Sequence, residues 1–172
     1  MQIVQAATET EISQVRDLMR AFIEWHFVRH AEDIELVNAY FDGAAFEDEL
    51  AGLPGKYKPP YGSLLLALVD DAPAGCVALR KIDEATCEMK RMFVYEAFHG
   101  KGVGLALAER IIEEGKRLGY AKMVLDTGAR QVEAKRLYHR LGFKDVKTYY
   151  DLPSDLANWL SFMELDFAKA DW

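Results

Sequence analysis

The sequence Phe98-His99-Gly100-Lys101-Gly102-Val103-Gly104 decides the fold, because it joins a predicted strand to a predicted helix through three closely spaced glycines. Residues 87–95 form the predicted strand, and residues 105–118 have the apolar spacing of an amphipathic helix. Glycine lets the backbone approach a ligand closely, since no side chain intervenes. The helix directs its free N–H groups and the positive end of its dipole toward the loop. Together with the charge of Lys101, this arrangement predicts a phosphate-binding site.

The glycine spacing differs from that of two better-known phosphate-binding loops. The dinucleotide-binding pattern Gly-x-Gly-x-x-Gly, started at Gly100, would need its last glycine where Leu105 stands. The P-loop requires Gly-Lys followed by Ser or Thr, whereas Gly102 follows Lys101 here. A glycine-rich turn also occurs without any ligand. A second motif is therefore needed to interpret the loop.

That second motif is the run Gln131-Val132-Glu133-Ala134-Lys135-Arg136-Leu137-Tyr138-His139-Arg140-Leu141-Gly142-Phe143. It resembles Asn-x-x-Ala-x-x-Leu-Tyr-x-x-x-Gly-Phe of the GCN5-related N-acetyltransferase (GNAT) superfamily, with Gln131 where Asn is common. The glycine loop resembles the pyrophosphate loop of the same superfamily, Arg/Gln-x-x-Gly-x-Gly/Ala, with His99 where Arg or Gln is usual. A predicted strand at 122–126 joins the two motifs, and the resemblance extends over residues 75–167.

The resemblance implies an α/β fold of the GNAT type, with a mixed, mostly antiparallel central sheet, a splayed pair of parallel strands and flanking helices. The chain length predicts a single domain, residues 1–172. Thr8-x-x-Glu11 is a capping box that begins a helix ending near Arg29, and a second helix is predicted within 42–53. The remaining predicted strands are 2–6, 63–69, 75–82, 144–149 and 160–167.

The resemblance also implies an enzyme that uses acetyl-CoA as cosubstrate and needs no metal. In such a fold the strand before the loop exposes backbone groups that pair with the pantetheine arm as an added strand would. By resemblance these groups belong to Met92, Phe93 and Val94, and the Val94 N–H is the expected oxyanion donor. The other expected cofactor-binding residues are His99, Gly100, Lys101, Gly102, Val103 and Gly104 at the pyrophosphate, and Gln131.

Two residues are the candidate catalytic groups. Tyr138 occupies the general-acid position of the family, from which its phenol would protonate the leaving thiolate; packing on the core is the alternative. Glu88 lies on the strand leading to the site, where several family members carry a glutamate that removes the proton of the amine through water. An ion pair with Lys90 or Arg80 is the alternative for Glu88. His26, on the apolar face of the first helix, is either a further base or a core histidine.

The acceptor is expected to be a small-molecule amine, cationic or zwitterionic, and the alternative function is a non-catalytic acyl-CoA-binding or sensing module. Six aromatic residues lie in regions that shape the acceptor pocket in similar folds: Trp25, Tyr57, Tyr61, Tyr149, Tyr150 and Trp159. The net charge of −7 argues against nucleic-acid and membrane-surface partners. No apolar run has the length of a membrane span or the pattern of a signal segment, so a cytoplasmic location is expected, with a homodimer also considered.

The two cysteines are expected to be buried and unpaired. A two-residue hairpin at Asp83-Glu84 would place Cys76 opposite Arg91 and Cys87 opposite Arg80. The four histidines and two cysteines show no metal-ligand spacing.

Overall fold

The structure is a computed structural model that describes residues 1–169; residues 170–172, at the end of the predicted domain, lie outside the described part. Its seven-stranded sheet has the order β1-β2-β3-β4-β5-β7-β6. Every neighbouring pair is antiparallel except β4 and β5. This arrangement confirms the predicted fold class. The strands are β1 (Gln2–Gln5), β2 (Ser63–Val69), β3 (Ala72–Lys81), β4 (Thr86–Val94), β5 (Lys122–Gly128), β6 (Lys144–Val146) and β7 (Leu160–Asp166).

The helices flank this sheet. They are α1 (Glu9–Arg29), α2 (Ile34–Tyr40), α3 (Gly43–Ala51), α4 (Val103–Arg117), α5 (Val132–Arg140) and α6 (Ser154–Trp159). The predicted capping box is present, because the Thr8 side chain accepts from the Glu11 N–H and the Glu11 carboxylate from the Thr8 N–H. Helices α2 and α6 were not predicted. They have seven and six residues, which is too short to show a helical period.

The parallel pair β4–β5 separates as predicted. Its register pairs Thr86 with Lys122, Cys87 with Met123 and Glu88 with Val124. Beyond this point β4 continues to pair with β3, and β5 continues to pair with β7 as far as Gly128. The two strands therefore diverge, and the edge of β4 from residue 89 to residue 94 faces a gap.

The β3–β4 register differs from the predicted one. Cys87 lies opposite Lys81, and Cys76 lies opposite Phe93. The Asp83 carboxylate accepts from the N–H groups of residues 85 and 86, which lengthens the turn beyond the predicted two residues. A bulge then adds one more residue to β4, where Arg91 has a φ of 57°.

Hydrophobic clusters cover both faces of the sheet. Leu107 of α4 is buried in the cluster on one face, and Leu18 of α1 in the cluster on the other. A third cluster joins α2 and α6 to Phe22 of α1 and lies beside the gap between β4 and β5. Within residues 1–169, none of the helices combines the length and apolarity needed to cross a bilayer.

Candidate active site

The gap between β4 and β5 opens into a small cleft of about 40 Å³, here called the inner cleft. Residues 89–92 of β4 form one wall and residues 125–128 of β5 form the other. His26 of α1, Tyr138 of α5 and Trp159 of α6 also line it. The divergence of the two parallel strands therefore creates the cleft, and helices from both halves of the chain close it.

The glycine loop lies at the start of α4. Gly102 is the N-cap residue of this helix and has a φ of 79°, a left-handed conformation that favours glycine. A Cβ built at Gly100 or Gly102 would meet no atom within 4 Å, so the loop surface is open to a ligand. The first N–H groups of α4 have no carbonyl partner within the helix. The predicted helix and the predicted glycine loop are both present. The N-terminus of α4 is therefore suited to bind a pyrophosphate.

The free edge of β4 is oriented by its pairing with β3. The Tyr95 N–H donates to the Ala74 carbonyl at 2.9 Å, and a Cβ built at Gly75 would lie 2.7 Å from the Phe93 carbonyl oxygen. The Phe93 carbonyl and the Tyr95 N–H therefore point toward β3. Since backbone groups alternate along a strand, those of Val94 face the gap. The imidazole Nε2 of His99 lies within hydrogen-bonding distance, 2.9 Å, of the Val94 carbonyl oxygen.

Tyr138 and Gln131 lie where α5 meets the gap. Tyr138 is 6% exposed and packs against the ring of Phe143 at a centroid distance of 5.7 Å. Burial, and then the negative charge of Asp126, raise the pKa of Tyr138, so its phenol keeps its proton at neutral pH. The Gln131 side-chain oxygen accepts from the Thr127 hydroxyl at 2.8 Å and from the Gly128 N–H at 2.6 Å. Only the amide nitrogen of Gln131 remains for a ligand.

Glu88 is fully buried and held in the ion pair that the sequence left open as an alternative. One carboxylate oxygen bonds the Arg80 guanidinium. The other accepts from the Tyr149 hydroxyl at 2.8 Å and lies 3.8 Å from the Lys90 ammonium. Both oxygens are therefore occupied by neighbouring side chains.

A second buried group surrounds Asp126, near the end of β5. Its carboxylate accepts from the hydroxyls of Tyr40, at 2.6 Å, and Tyr150, and it lies 3.4 Å from the Lys90 ammonium. Burial alone would raise the pKa of Asp126, but the charge of Lys90 and the two phenols hold it below its ordinary value. The Lys90 pKa is raised, because its two carboxylate neighbours outweigh burial.

Lys90 was expected only as a partner of Glu88, and Asp126 was not expected at the site. Tyr149 and Tyr150 were expected to line the acceptor pocket. The Tyr149 hydroxyl donates to Glu88 and the Tyr150 hydroxyl donates to Asp126. Strand β6 ends at Val146, so the predicted extension over residues 147–149 is absent. The sequence did contain a signal for Asp126, which follows the apolar residues 123–125 of a predicted strand. A charged residue at such a position is buried only when it has partners.

A larger, outer cavity of about 470 Å³ adjoins the inner cleft, and Tyr40, Phe41 and Arg91 line both. The Arg91 guanidinium binds Glu49 of α3 through Nε at 2.9 Å and one terminal nitrogen at 3.1 Å. Burial opposes ionisation of Glu49, but Arg91, together with Lys56 and the Tyr57 hydroxyl, outweighs it and lowers the Glu49 pKa to about 2.

The six aromatic residues expected around the acceptor do not lie together. Trp159 lines the inner cleft, and Tyr57 lines the outer cavity with its hydroxyl on Glu49. Trp25 lies behind the cleft, with its ring edge-on to His26 at 5.2 Å. Tyr61 lines neither cavity and lies 61% exposed, beside Lys81.

His26 is buried and lines the inner cleft. Burial, together with the neighbouring His30 and Arg91, lowers its pKa to about 3, so the imidazole is neutral at physiological pH. In residues 1–169, no group of three or more His, Cys, Asp or Glu side chains could hold a metal ion.

A sheet opened at a parallel pair, a cleft between the two separated strands and a glycine loop at the following helix are the features expected of an acyl-CoA-dependent acetyltransferase. The profile of the Acetyltransferase (GNAT) family matches residues 15–143, and the chain belongs to this family.

Proteins similar to this chain agree with that assignment. An uncharacterized N-acetyltransferase of Schizosaccharomyces pombe is 39% identical, covering 72% of this chain and 75% of the relative. The N-acetylaspartate synthetase of Rattus norvegicus is 34% identical over 73% of this chain, but the match covers only 43% of that relative. The crystal structure of the PaiA N-acetyltransferase of Thermoplasma acidophilum in complex with coenzyme A has the same fold, with a TM-score of 0.70 at 18% identity. That match covers 97% of this chain and 100% of the solved one.

Proposed function

We propose that this chain transfers the acetyl group of acetyl-CoA to the primary amine of a small molecule, by direct attack within a ternary complex. Residues 1–172 would act as one domain. The observation that carries the proposal is the free edge of β4, which runs along the cleft and leads into the glycine loop at α4. A non-catalytic binding module would need the β4 edge and the glycine loop. It would not need the buried polar group around Asp126, on the β5 side of the cleft.

The cosubstrate supplies an activated acetyl thioester, and several residues of this chain are suited to hold it. The edge of β4 at Met92 to Val94 offers backbone groups to the pantetheine arm, principally those of Val94. The loop from His99 to Gly104 offers N–H groups and the charge of Lys101 to the pyrophosphate. The amide nitrogen of Gln131 adds a donor at the start of α5.

Three residues would serve the acyl transfer itself. The Val94 N–H donates to the carbonyl oxygen on which negative charge develops. The Tyr138 phenol gives its proton to the departing thiolate, and its raised pKa keeps that proton available. Because both oxygens of Glu88 are occupied, we assign Glu88 the positioning of Lys90 and Tyr149 rather than removal of the amine proton.

The cysteines support direct attack over an acetylated enzyme. Cys76 and Cys87 are both buried, and burial raises the pKa of each thiol to about 12. A thiol that stays protonated is a poor nucleophile. The size of the outer cavity and the name of the N-acetylaspartate synthetases, which denotes a small acetylated molecule, support a small acceptor.

Initial-rate kinetics test the proposal. Acetyl-CoA and a panel of small primary amines are varied together, and released CoA is measured with a thiol reagent. We expect release that depends on an amine, double-reciprocal lines that intersect, and no acetylated protein by mass spectrometry when the amine is omitted. Parallel lines would indicate a covalent intermediate. Binding of acetyl-CoA without turnover on any amine would favour the binding module.

A further inference from the structure

His26 carries an unexplained pair of buried polar atoms. The residue is 3% exposed, and neither Nδ1 nor Nε2 has a hydrogen-bond partner. Its ring is fixed between Phe22, at a centroid distance of 4.5 Å, and His30, on which it stacks at 5.0 Å. A buried donor without a partner is costly, so natural proteins rarely keep one without a use. Because the ring lines the inner cleft, a ligand in the cleft can satisfy it.

The charged residues that line the inner cleft are Lys90, Arg91 and Asp126, two cations and one anion. Asp126 already accepts from two phenols and faces Lys90, so it offers little to an added cation. Arg91 binds Glu49 through Nε and one terminal nitrogen, which leaves its second terminal nitrogen outside that pair. Although Glu88 and Glu49 balance the charges of Lys90 and Arg91, this terminal nitrogen of Arg91 still offers a charge-assisted donor to an added anion.

Arg91 is also held in an unusual backbone conformation. Its φ of 57° lies in the left-handed region, which costs a non-glycine residue energy. The bulge that requires this conformation places its guanidinium against the rings of Phe41 and Phe46, on the boundary of the two cavities. From that boundary the Arg91 side chain can contact a ligand that occupies both the inner cleft and the outer cavity.

We propose that the acceptor is a free amino acid, whose carboxylate accepts hydrogen bonds from His26 and Arg91 in the inner cleft. This proposal rests on the proposed function and names its substrate class. The neutral imidazole of His26 supplies one N–H donor, and the Arg91 guanidinium supplies a charge-assisted one. With the carboxylate fixed, the amine next to it lies between the β4 edge and Tyr138, and the side chain of the amino acid extends toward the outer cavity.

The amine of a free amino acid is largely protonated at neutral pH, so it loses a proton to solvent before it can act as a nucleophile. In the transfer, the C–N bond forms, the C–S bond breaks, the amine nitrogen loses its second proton to solvent, and the thiolate takes a proton from Tyr138, which then regains one from solvent.

The test compares each amino acid with its own carboxamide at neutral pH. An α-amine beside an amide group has a pKa near 8, lower than that of the free amino acid, so intrinsic reactivity favours the carboxamide. We expect the opposite order, with kcat/KM for at least one free amino acid about tenfold or more above that of its carboxamide. Carboxamides or simple alkylamines that react as well as every free amino acid would overturn the carboxylate assignment and leave acetyl transfer to amines intact.

His26→Phe keeps the stacked ring and removes both nitrogens. It is expected to raise KM for the amino acid about tenfold or more, to spare KM for acetyl-CoA and to reduce the preference for acid over carboxamide. His30→Phe is the matched control, since the same change one turn along α1 alters a residue that does not line the cleft. An unchanged preference in His26→Phe would remove His26 from the site.

A binding measurement separates this proposal from the proposed function. The imidazole nitrogens of His26 are followed by NMR in the presence of CoA, which cannot transfer an acetyl group, while the preferred amino acid or its carboxamide is added. We expect the His26 signal to shift with the amino acid and to remain in place with the carboxamide. A shift without turnover on acetyl-CoA would support the carboxylate site and reject catalysis. An unmoved signal with the acid would reject the site.

Discussion

Tyr138 combines a buried, protonated phenol with a position on the wall of the inner cleft. Tyr138→Phe removes only the hydroxyl and keeps the contact with Phe143. If the phenol protonates the thiolate, kcat should fall by about tenfold or more while KM for acetyl-CoA changes little. Steady-state kinetics with saturating acceptor measure this.

Tyr120→Phe is the control for this change. Tyr120 is also buried, but its hydroxyl donates to the Tyr61 carbonyl, away from the cleft. Its variant should keep the wild-type kcat. Equal kcat values in all three proteins would reduce Tyr138 to a packing residue.

Glu88 can be tested through the pH dependence of its loss. Arg80 and Tyr149 occupy its oxygens, so we expect Glu88→Gln to lower kcat/KM by a constant factor from about pH 7 to about pH 10.5, where roughly half of an alkylamine has lost its proton. A base acting on the amine would instead give a deficit that shrinks toward high pH, where more of the amine is already neutral. Such a profile would return Glu88 to the role that the sequence suggested.

Helix α4 is expected to contribute its N-terminus to cosubstrate binding, and Gly102 allows a charge test with a matched pair. Gly102→Asp and Gly102→Asn carry side chains of the same shape, and both meet the same backbone penalty at a φ of 79°. Only the aspartate opposes a pyrophosphate by charge. Acetyl-CoA at about a hundred times its Kd should stabilise the wild type by about 2.7 kcal/mol.

Thermal unfolding with and without acetyl-CoA distinguishes the two variants. We expect the ligand-induced rise in Tm to be lost in Gly102→Asp and largely kept in Gly102→Asn. Equal rises in both would mean that the pyrophosphate lies away from this helix terminus.

The bulge in β4 is the element that connects the sheet to α3. It directs Arg91 to Glu49, and the resulting ion pair fixes α3 beside the cleft. An unbulged β4 would direct its side chains differently, because each added residue reverses the faces of those that follow. One irregular residue thus helps to hold α3 beside the outer cavity, in addition to the burial of Phe46 and Leu50.

At the scale of the whole molecule, the Glu49–Arg91 pair should make stability depend on pH. The Glu49 pKa is lowered from 4.5 to about 2, so its contribution is present above pH 4.5 and is lost as the pH falls toward 2. Glu49→Gln should lower the free energy of unfolding by about 1–3 kcal/mol at pH 7. This difference from wild type should shrink on acidification through the same range.

Chemical denaturation at several pH values measures the difference. Glu47→Gln is the control, since Glu47 lies on the same helix but pairs with Arg20 at the surface, and its loss should cost less than about 0.5 kcal/mol. A Glu49→Gln deficit that stays constant down to pH 2 would show that packing, not charge, holds α3.

The fold class and the positions of the main motifs could be predicted from the sequence. The capping box, the strand–loop–helix at residues 98–104 and the motif at residues 131–143 are local patterns, whose geometry follows from neighbouring residues. Helix α1 and the strands of the sheet were predicted for this reason, whereas the separation of β4 from β5 was implied by the resemblance to the GNAT superfamily. The position of Gly102 at the start of α4 agrees with the predicted loop.

The composition of the inner cleft follows from the tertiary structure and could not be predicted from the sequence. His26, Arg91 and Asp126 are separated by 35 residues or more in the chain and meet because β4 and β5 diverge beneath α1. Their partners depend on a bulge and a lengthened turn, each of which shifts the register by one residue. Buried charges choose partners by distance in space, and sequence spacing does not encode that distance. For the same reason the sequence placed Glu88 on its strand and offered Arg80 or Lys90 as a partner, but it did not predict the contact with Tyr149.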